Sequence, residues 1–419
     1  MKKLIACLLA LATLVPLAAG CATNTPADSS TSATTTTTTA TTTTATPKPG
    51  YPSDDMDSQF AEPSYLLAKQ ILKDYWRTSH LNSEPRNGTA VVWGFASFME
   101  AMAEAYRLFP DDKTISKAYV NALTKGIAKY EVSATITTPN GQKHDVTYYN
   151  AGAGGRGDYY YDDDAWICIQ FLNAYELLKD EQYLAKAEET LEFLWTGWDD
   201  VLGGGIYWDK TYGGKNTCAN GPVAIAFLWA YQLTEKEEYL EKGKMIWDWA
   251  RQKLLDGDLY IDALGVDGGR NNWKAAYNQA TMIYVGAQLY EITGDETYLT
   301  QTRRTYEATL TLMFKGRGSA VTMNGNPIYK SWCIGWLVRG FLKFYSVDPE
   351  KDNKGMTYME TVLKKNLKTK DKKGYYDPYF KTGDWGGESK TDVLQPCGML
   401  SVMALCTYYD IAMAEKTDK

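Results

Sequence analysis

The chain has 419 residues and a formal net charge of -7, from 44 Lys and Arg against 51 Asp and Glu. It contains only two histidines, which leaves little material for a histidine-based metal site or proton relay. The acidic balance argues against a nucleic-acid-binding protein, and the 44% of hydrophobic residues exclude a disordered chain.

The N-terminus carries the pattern of a secretion signal. Lys2 and Lys3 precede an apolar run that ends near residue 19 and is too short to span a bilayer as a mature helix. Residues 17–21 read LAAGC, which resembles the lipobox of bacterial lipoproteins, whose cysteine is lipidated. We therefore expect a lipoprotein signal peptide at 1–20 and a lipid anchor on Cys21, which would place the protein on the extracellular face of the bacterial membrane. An ordinary cleaved signal peptide is the alternative.

Residues 21–58 are predicted to be a flexible linker, because 31–46 are almost entirely Thr and can bury no apolar area. The remaining segment, 59–419, is then one catalytic domain that touches the membrane only through its anchor. Its five cysteines include no C-x-x-C pair, so we expect small buried side chains and no disulfide framework or zinc site.

Two kinds of helix alternate along this domain. A polar turn followed by Tyr-Leu opens an amphipathic helix at Tyr183, Tyr239 and Tyr298, and each such helix follows one that is apolar on nearly every side. The pattern predicts outer helices near 61–77, 113–130, 182–197, 236–255, 296–314 and 354–368. It predicts inner helices near 90–109, 164–178, 221–234, 276–292, 330–346 and 394–414.

Six alternations favour an all-α fold, an (α/α)6 barrel, over an open helical solenoid. Gly- and aromatic-rich loops precede three inner helices, at 203–208, 258–262 and 375–380. We expect them to form short hairpins at one mouth of the barrel, where functional groups would gather on a rigid scaffold.

The most informative stretch is the run Asp162, Asp163 and Asp164 at the entry to an inner helix, preceded by tyrosines at 159–161. An aspartate at this position can simply cap the helix, but one cap explains only one of the three. Neighbouring carboxylates raise one another's pKa, as a general acid requires, and their short separation suits a retaining glycosidase pair.

Residues 161–166, YDDDAW, resemble the signature of glycoside hydrolase family 76, the endo-α-1,6-mannanases. Similar segments follow in the family's order: the glycine-rich 203–208, the Lys-Asn and Asn-Gly-Pro of 215–222, and the Tyr-Asn-Gln of 277–279. The resemblance implies an (α/α)6 enzyme that cleaves α-1,6-mannan with retention and needs no cofactor or metal.

Carried over residue by residue, the resemblance implies that Asp162 is the nucleophile and Asp163 the acid/base. The third aspartate leaves the register open by one, although the following Ala-Trp favours this assignment and makes Asp164 a helix cap. The further substrate-binding candidates, counting Asp164, are Tyr160, Tyr161, Asp164, Trp208, Asn216, Asn220, Tyr277, Asn278 and Gln279.

The expected partner is α-1,6-mannan, as polysaccharide or oligosaccharide, bound by a monomer. Two alternatives stay open. The same aspartates would serve a mannan transglycosylase, and a surface protein that captures glycan without cutting it would also use aromatic platforms.

Overall fold

The computed structural model of the chain describes residue 56 and residues 58–314, 330–380 and 392–417. The expected signal peptide, Cys21 and nearly all of the expected linker lie outside these residues. Within the described residues, twelve α-helices alternate between an outer and an inner ring.

The outer helices are α1 (Ala61–Tyr75), α3 (Lys113–Asn121), α5 (Glu181–Trp195), α7 (Glu237–Lys253), α9 (Glu296–Met313) and α11 (Lys354–Asn366). The inner helices are α2 (Val92–Leu108), α4 (Tyr161–Leu178), α6 (Thr217–Thr234), α8 (Ala276–Thr293), α10 (Ser331–Val347) and α12 (Leu394–Thr417). A π-helical turn, Ala122–Gly126, and a 3-10 turn, Ile127–Lys129, continue α3 to the end of its predicted span.

The inner helices form a closed ring. Each packs against the next in chain order, and α12 packs against α2. The predicted (α/α)6 barrel is therefore confirmed, and the open solenoid is excluded because its terminal helices would not meet.

The burial of each helix follows its sequence pattern. On α5 the buried residues include Tyr183, Ala187, Leu191 and Leu194, which share one helical face. The inner helix α12 contains a stretch, Leu394–Ala414, that is long and apolar enough to cross a membrane, with a mean hydropathy of 1.4. Since 78% of its apolar window is buried inside the protein, α12 is a core helix of the barrel.

Short strands occupy the connections. They are β1 (Trp76–Arg77), β2 (His80–Leu81), β3 (Glu131–Thr137), β4 (Lys143–Tyr149), β5 (Gly214–Asn216), β6 (Leu255–Asp256), β7 (Leu259–Tyr260), β8 (Ala263–Gly265) and β9 (Arg270–Asn271). They pair antiparallel as β1–β2, β3–β4, β6–β7 and the sheet β5–β8–β9.

The expected hairpins are only partly present. The segment 258–262 contributes β7 to a hairpin, whereas 203–208 contributes a single bridge between Trp198 and Ile206. Within the described residues, 375–380 forms turns without a strand, so that prediction was wrong. The longest hairpin among the described residues, β3–β4, was not predicted, although Val132, Ala134 and Ile136 alternate with polar residues as in a strand. One side chain of β3 and two of β4 are buried.

Candidate active site

The aspartate run lies at the N-terminus of α4, which begins at Tyr161, so all three carboxyl groups occupy its first turn. Asp162 and Asp163 are partly exposed, whereas Asp164 is completely buried. One carboxyl oxygen of Asp164, Oδ1, accepts a hydrogen bond from the backbone N–H of Tyr149 at 2.7 Å. Asp164 therefore anchors β4 to the helix and does not cap it, and the pair that solvent can reach is Asp162 and Asp163.

The two partly exposed aspartates have different surroundings. Oδ2 of Asp162 accepts a hydrogen bond from the indole Nε1–H of Trp208 at 3.1 Å, and its Oδ1 accepts one from the backbone N–H of Asp163. Burial raises the pKa of Asp162 to about 6, while hydrogen bonds from Trp208 and Cys218 oppose the rise. Burial and, secondarily, the charge of Asp162 raise the pKa of Asp163 well above its usual range. At neutral pH the favoured state is thus an ionised Asp162 beside a protonated Asp163.

In α4, α6 and α8 the side chain of the fourth residue makes hydrogen bonds to the backbone of the segment that precedes the helix. Asp164 does so in α4. In α6 the amide of Asn220 accepts from the N–H of Ile206 at 2.8 Å and donates to its carbonyl at 2.9 Å. In α8 the amide of Gln279 makes the equivalent pair with Tyr260, both at 2.8 Å. All three side chains are buried. The structure contradicts the expectation that these three side chains bind substrate, because each is enclosed and bonds the backbone that precedes its helix.

The side chains of two further residues that were predicted to bind substrate, Tyr161 and Asn278, also point inward. Tyr161 is completely buried, and its ring stacks on that of Phe193 with centroids 5.0 Å apart, so it packs the core and offers no platform. Asn278 is buried, and its Nδ2 donates to the carboxylate of Asp262 at 3.0 Å. Asn216, the last residue of β5, remains partly exposed.

Aromatic side chains line the mouth around the aspartate pair. Trp208 is 40% exposed and contacts Tyr160, with ring centroids 5.3 Å apart. Trp273 is 39% exposed and contacts Tyr277 at 6.4 Å, and Tyr277 contacts Trp332 at 5.9 Å. Of the predicted platforms Tyr161, Trp208 and Tyr277, the rings of Trp208 and Tyr277 lie at this mouth, beside Tyr160, which was also expected to bind substrate.

Two exposed tryptophans of this mouth, Trp93 and Trp273, and the buried Trp332 between the rings of Trp93 and Tyr277 were missed by sequence reasoning. Trp93 lies in the first turn of α2, Trp332 in the first turn of α10, and Trp273 just before α8. Trp93 and Trp332 meet edge to face at 5.0 Å. The available signal was positional, because each lies beside the N-terminus of an inner helix, as the aspartate run does.

Asp262 is a third carboxyl group at this mouth that sequence reasoning read only as part of a loop. Its two oxygens accept hydrogen bonds from Asn278 Nδ2 at 3.0 Å and Asn271 Nδ2 at 2.8 Å. It is partly exposed, and burial raises its pKa despite these hydrogen bonds. Its charge also raises the pKa values of Tyr277 and Cys218, two groups that feel the charge of Asp162 as well. Asp262 therefore lies in the same electrostatic environment as the pair.

The glycine-rich loop places Trp208 over the aspartate pair. Gly204 and Gly205 have positive φ values of 123° and 87° and lie against the ring of Trp249. A Cβ at Gly205 would lie 2.5 Å from that ring, so no larger residue fits. The carbonyl of Trp208 then accepts a hydrogen bond from the first N–H of α4, at Tyr161, at 2.8 Å. This bond fixes the loop to the helix that carries the aspartates.

Among the described residues, no group of three or more His, Cys, Asp or Glu side chains is placed to hold a metal ion. The groups gathered at the mouth are carboxyl groups, an indole N–H, a thiol and aromatic faces. Such a set suits proton transfer and the binding of a neutral sugar ring.

Comparison with known proteins agrees with this chemistry. A family model described as glycosyl hydrolase family 76 matches residues 60–410. A curated relative, mannan endo-1,6-alpha-mannosidase DCW1 of Saccharomyces cerevisiae, is 23% identical over 169 residues, which are 37% of this chain and 35% of the relative. The aligned part of the chain thus spans about a third of that relative's length.

Solved structures share the fold at low sequence identity. A family 76 glycoside hydrolase from a bovine Bacteroides thetaiotaomicron strain has a TM-score of 0.74 and 21% identity, covering 84% of this chain and 78% of that one. An inactive variant of the α-1,6-mannanase GH76A of Salegentibacter sp. HEL1_6, with two neighbouring Asp→Asn changes, was solved with α-1,6-mannotriose. It has a TM-score of 0.67 and 21% identity over 83% of this chain and 99% of that one.

Proposed function

We propose that this chain is a retaining endo-α-1,6-mannanase. Since a family model matches residues 60–410, the chain belongs to glycosyl hydrolase family 76 and is a glycosidase. The observation that carries this proposal is the partly exposed pair Asp162 and Asp163 at the N-terminus of α4. Their different surroundings favour one ionised and one protonated carboxyl group, as double displacement requires.

In the proposed first step, the carboxylate of Asp162 attacks the anomeric carbon of a mannosyl unit. The bond from that carbon to the glycosidic oxygen breaks, and the oxygen takes the proton of Asp163. Hydrogen bonds from Trp208 and Cys218 stabilise the ionised form of Asp162, which keeps the nucleophile charged beside its protonated neighbour.

In the second step Asp163, now ionised, removes a proton from water. The water oxygen attacks the anomeric carbon, the ester bond to Asp162 breaks, and the sugar leaves with its original configuration. A sugar hydroxyl in place of water would give transglycosylation by the same residues.

The related mannanase supports the substrate and the pair, because that protein is described as an inactive variant with two neighbouring Asp→Asn changes in complex with α-1,6-mannotriose. For this chain we propose the same class of substrate. Its pyranose rings would stack on Tyr160, Trp208, Trp273 and Tyr277, which are the accessible aromatic rings beside the pair. Asp262 would accept hydrogen bonds from sugar hydroxyls through the lone pairs that Asn271 and Asn278 leave free.

The test is product analysis on debranched α-1,6-mannan. We expect early release of mixed manno-oligosaccharides whose reducing ends keep the α configuration in NMR spectra recorded during the reaction. Asp163→Asn should lower kcat by about 10²–10⁴-fold, because it removes general acid–base catalysis, and Asp162→Asn should lower it at least as much. The matched control is Asp158→Asn. Asp158 lies in the loop before α4, and its exposed carboxylate pairs with Lys210, so its loss should leave kcat unchanged.

Other outcomes would redirect the proposal. Products longer than the donor would identify a transglycosylase. Mannan binding without cleavage in the unchanged chain would identify a capture protein. Products with β configuration would contradict retention.

A further inference from the structure

A cavity lies inside the ring of inner helices, at the end opposite the aspartate pair. It has a volume of about 110 Å³, and side chains from all six described inner helices line it. Gln170 and Asn173 of α4 lie seven and ten residues beyond Asp163, which is roughly 10 and 15 Å along the helix. We propose that this cavity is a binding site for a neutral, monosaccharide-sized polyol, separate from the catalytic cleft.

An aromatic layer divides the cavity from the cleft. The ring of Trp336 contacts that of Trp166 with centroids 4.5 Å apart, and Trp166 in turn contacts Trp332 of the cleft at 5.3 Å. On the cavity side Trp336 contacts Tyr284 at 6.4 Å. The same aromatic layer thus lies between the cavity and the cleft beside the aspartate pair.

Each cationic side chain of the cavity wall lies beside a carboxylate. Nη2 of Arg339 lies 3.1 Å from a carboxyl oxygen of Glu100 and 2.8 Å from one of Glu104. Lys343 pairs with Glu291 at 2.6 Å. Arg107 likewise lies 3.9 Å from Glu104. Because every cation of the wall already has a carboxylate beside it, the site offers no unpaired cation to an anionic ligand, which favours a neutral one.

Two neutral polar atoms of the described wall nevertheless lack a partner. Among the described residues, the acceptor Gln170 Oε1 and the donor Trp336 Nε1 are buried without a hydrogen bond. Glu104 Oε2 and Arg107 Nε also lack one, but they form an ion pair with each other at 3.9 Å. Such groups are costly to leave unsatisfied. A hydroxyl group both donates and accepts, so a ligand with several hydroxyls satisfies both kinds of atom.

The apolar part of the wall suits the carbon face of a sugar ring. The rings of Trp229, Tyr284, Trp336 and Tyr408 line the cavity, and Trp229 is held by a hydrogen bond from its Nε1 to Glu176 at 3.1 Å. One water molecule needs about 10–15 Å³ of such space. The cavity therefore admits one monosaccharide-sized molecule in place of several waters, but not a mannotriose.

The experiment is saturation-transfer NMR on the full chain with D-mannose, alone and with saturating α-1,6-mannotriose. Mannotriose should displace mannose from the cleft only, so a residual mannose signal is expected from the cavity. Trp336→Phe keeps the aromatic layer but loses the N–H, and Gln170→Leu loses the acceptor. Each should weaken the residual binding about fivefold, since a hydrogen bond contributes about 1 kcal/mol. Trp208→Phe, in the cleft, is the matched control and should leave the residual signal unchanged.

Loss of the whole mannose signal on adding mannotriose would overturn the proposal, as would a residual signal that neither cavity variant weakens. In either case the cavity holds only water. The inference does not rest on the catalytic assignment. If mannotriose does not bind, the proposed function fails. Weaker mannose binding in Trp336→Phe would still support the cavity site, and unchanged mannose binding would still contradict it. Unfolding curves of both variants exclude a loss through misfolding.

Discussion

Three consecutive aspartates in one helical turn have three different environments, which differ in burial and in hydrogen-bond partners. Asp164 accepts a hydrogen bond from the backbone of β4, and Asp162 accepts one from the indole N–H of Trp208. The pKa of Asp163 is raised first by burial and then by the charge of Asp162. The register of the run, which the sequence left open by one, thus depends on a contact to Tyr149 that lies outside the motif.

At this scale the pH dependence can be predicted. The proposed mechanism requires ionised Asp162 and protonated Asp163, so kcat/KM should rise with pH as Asp162 loses its proton near pH 6 and fall as Asp163 loses its own. In Trp208→Phe the lost N–H no longer favours the charged form of Asp162, so its pKa rises and the acid limb moves to higher pH. We expect a shift of about half a unit to one unit, given the partial exposure of Trp208.

Trp273→Phe is the control for that shift, because it makes the same chemical change in another exposed tryptophan of the cleft. Its acid limb should stay in place while KM rises through the altered platform. An unshifted acid limb in Trp208→Phe would contradict the assignment of that limb to Asp162.

At the scale of elements, the inner helices approach one another closely where glycine removes the side chain. A Cβ at Gly340 of α10 would lie 2.7 Å from the carbonyl oxygen of Ala280 in α8. Because the obstructing atom belongs to the backbone, no side-chain rotation relieves the clash. By contrast, a Cβ at Gly335, in the same helix, would have its nearest neighbour at 3.6 Å, an ordinary contact.

We therefore expect Gly340→Ala to lower the free energy of unfolding by about 1–3 kcal/mol through overpacking. Gly335→Ala should raise it by up to about 1 kcal/mol, because alanine favours helix. Urea unfolding followed by circular dichroism measures both. Equal effects of the two substitutions would show that α8 and α10 adjust freely, against the close contact described here.

At the scale of the whole molecule, ring closure brings the two ends of the domain together. Ser58 donates a hydrogen bond to Asp410 of α12 at 2.6 Å, so the predicted linker would leave the barrel beside its last helix. The proposed lipid anchor on Cys21 would then act only as a tether, because no part of the aspartate site lies in the linker.

Cys21→Ala should accordingly move the protein from the membrane fraction to the soluble fraction without changing kcat on soluble mannan. Fractionation of expressing bacterial cells, with activity assayed in each fraction, measures this. Retention of the variant in the membrane fraction would contradict lipidation at Cys21 as the anchor.

The alternation of one-sided and fully apolar helices was sufficient to predict six inner and six outer helices, because burial on one or on all sides leaves a direct imprint on residue spacing. The aspartate pair was picked out by the resemblance of residues 161–166 to the family signature, since an aspartate at a helix start can also simply cap the helix. The same resemblance implied Trp208 and Tyr277 as platforms, and Tyr160 was expected to stack on sugar as one of the tyrosines at 159–161.

Only the tertiary structure decided where the polar side chains point. Asn220 and Gln279 have residue types suited to sugar hydroxyls, yet in the barrel their amides bond the loop backbone before their own helices. Asp262 and Trp273 join the site because β5, β8 and β9 fold together beside α8. The cavity at the far end exists only because six helices close into a ring. These features depend on contacts between distant segments, which residue spacing along one helix cannot encode.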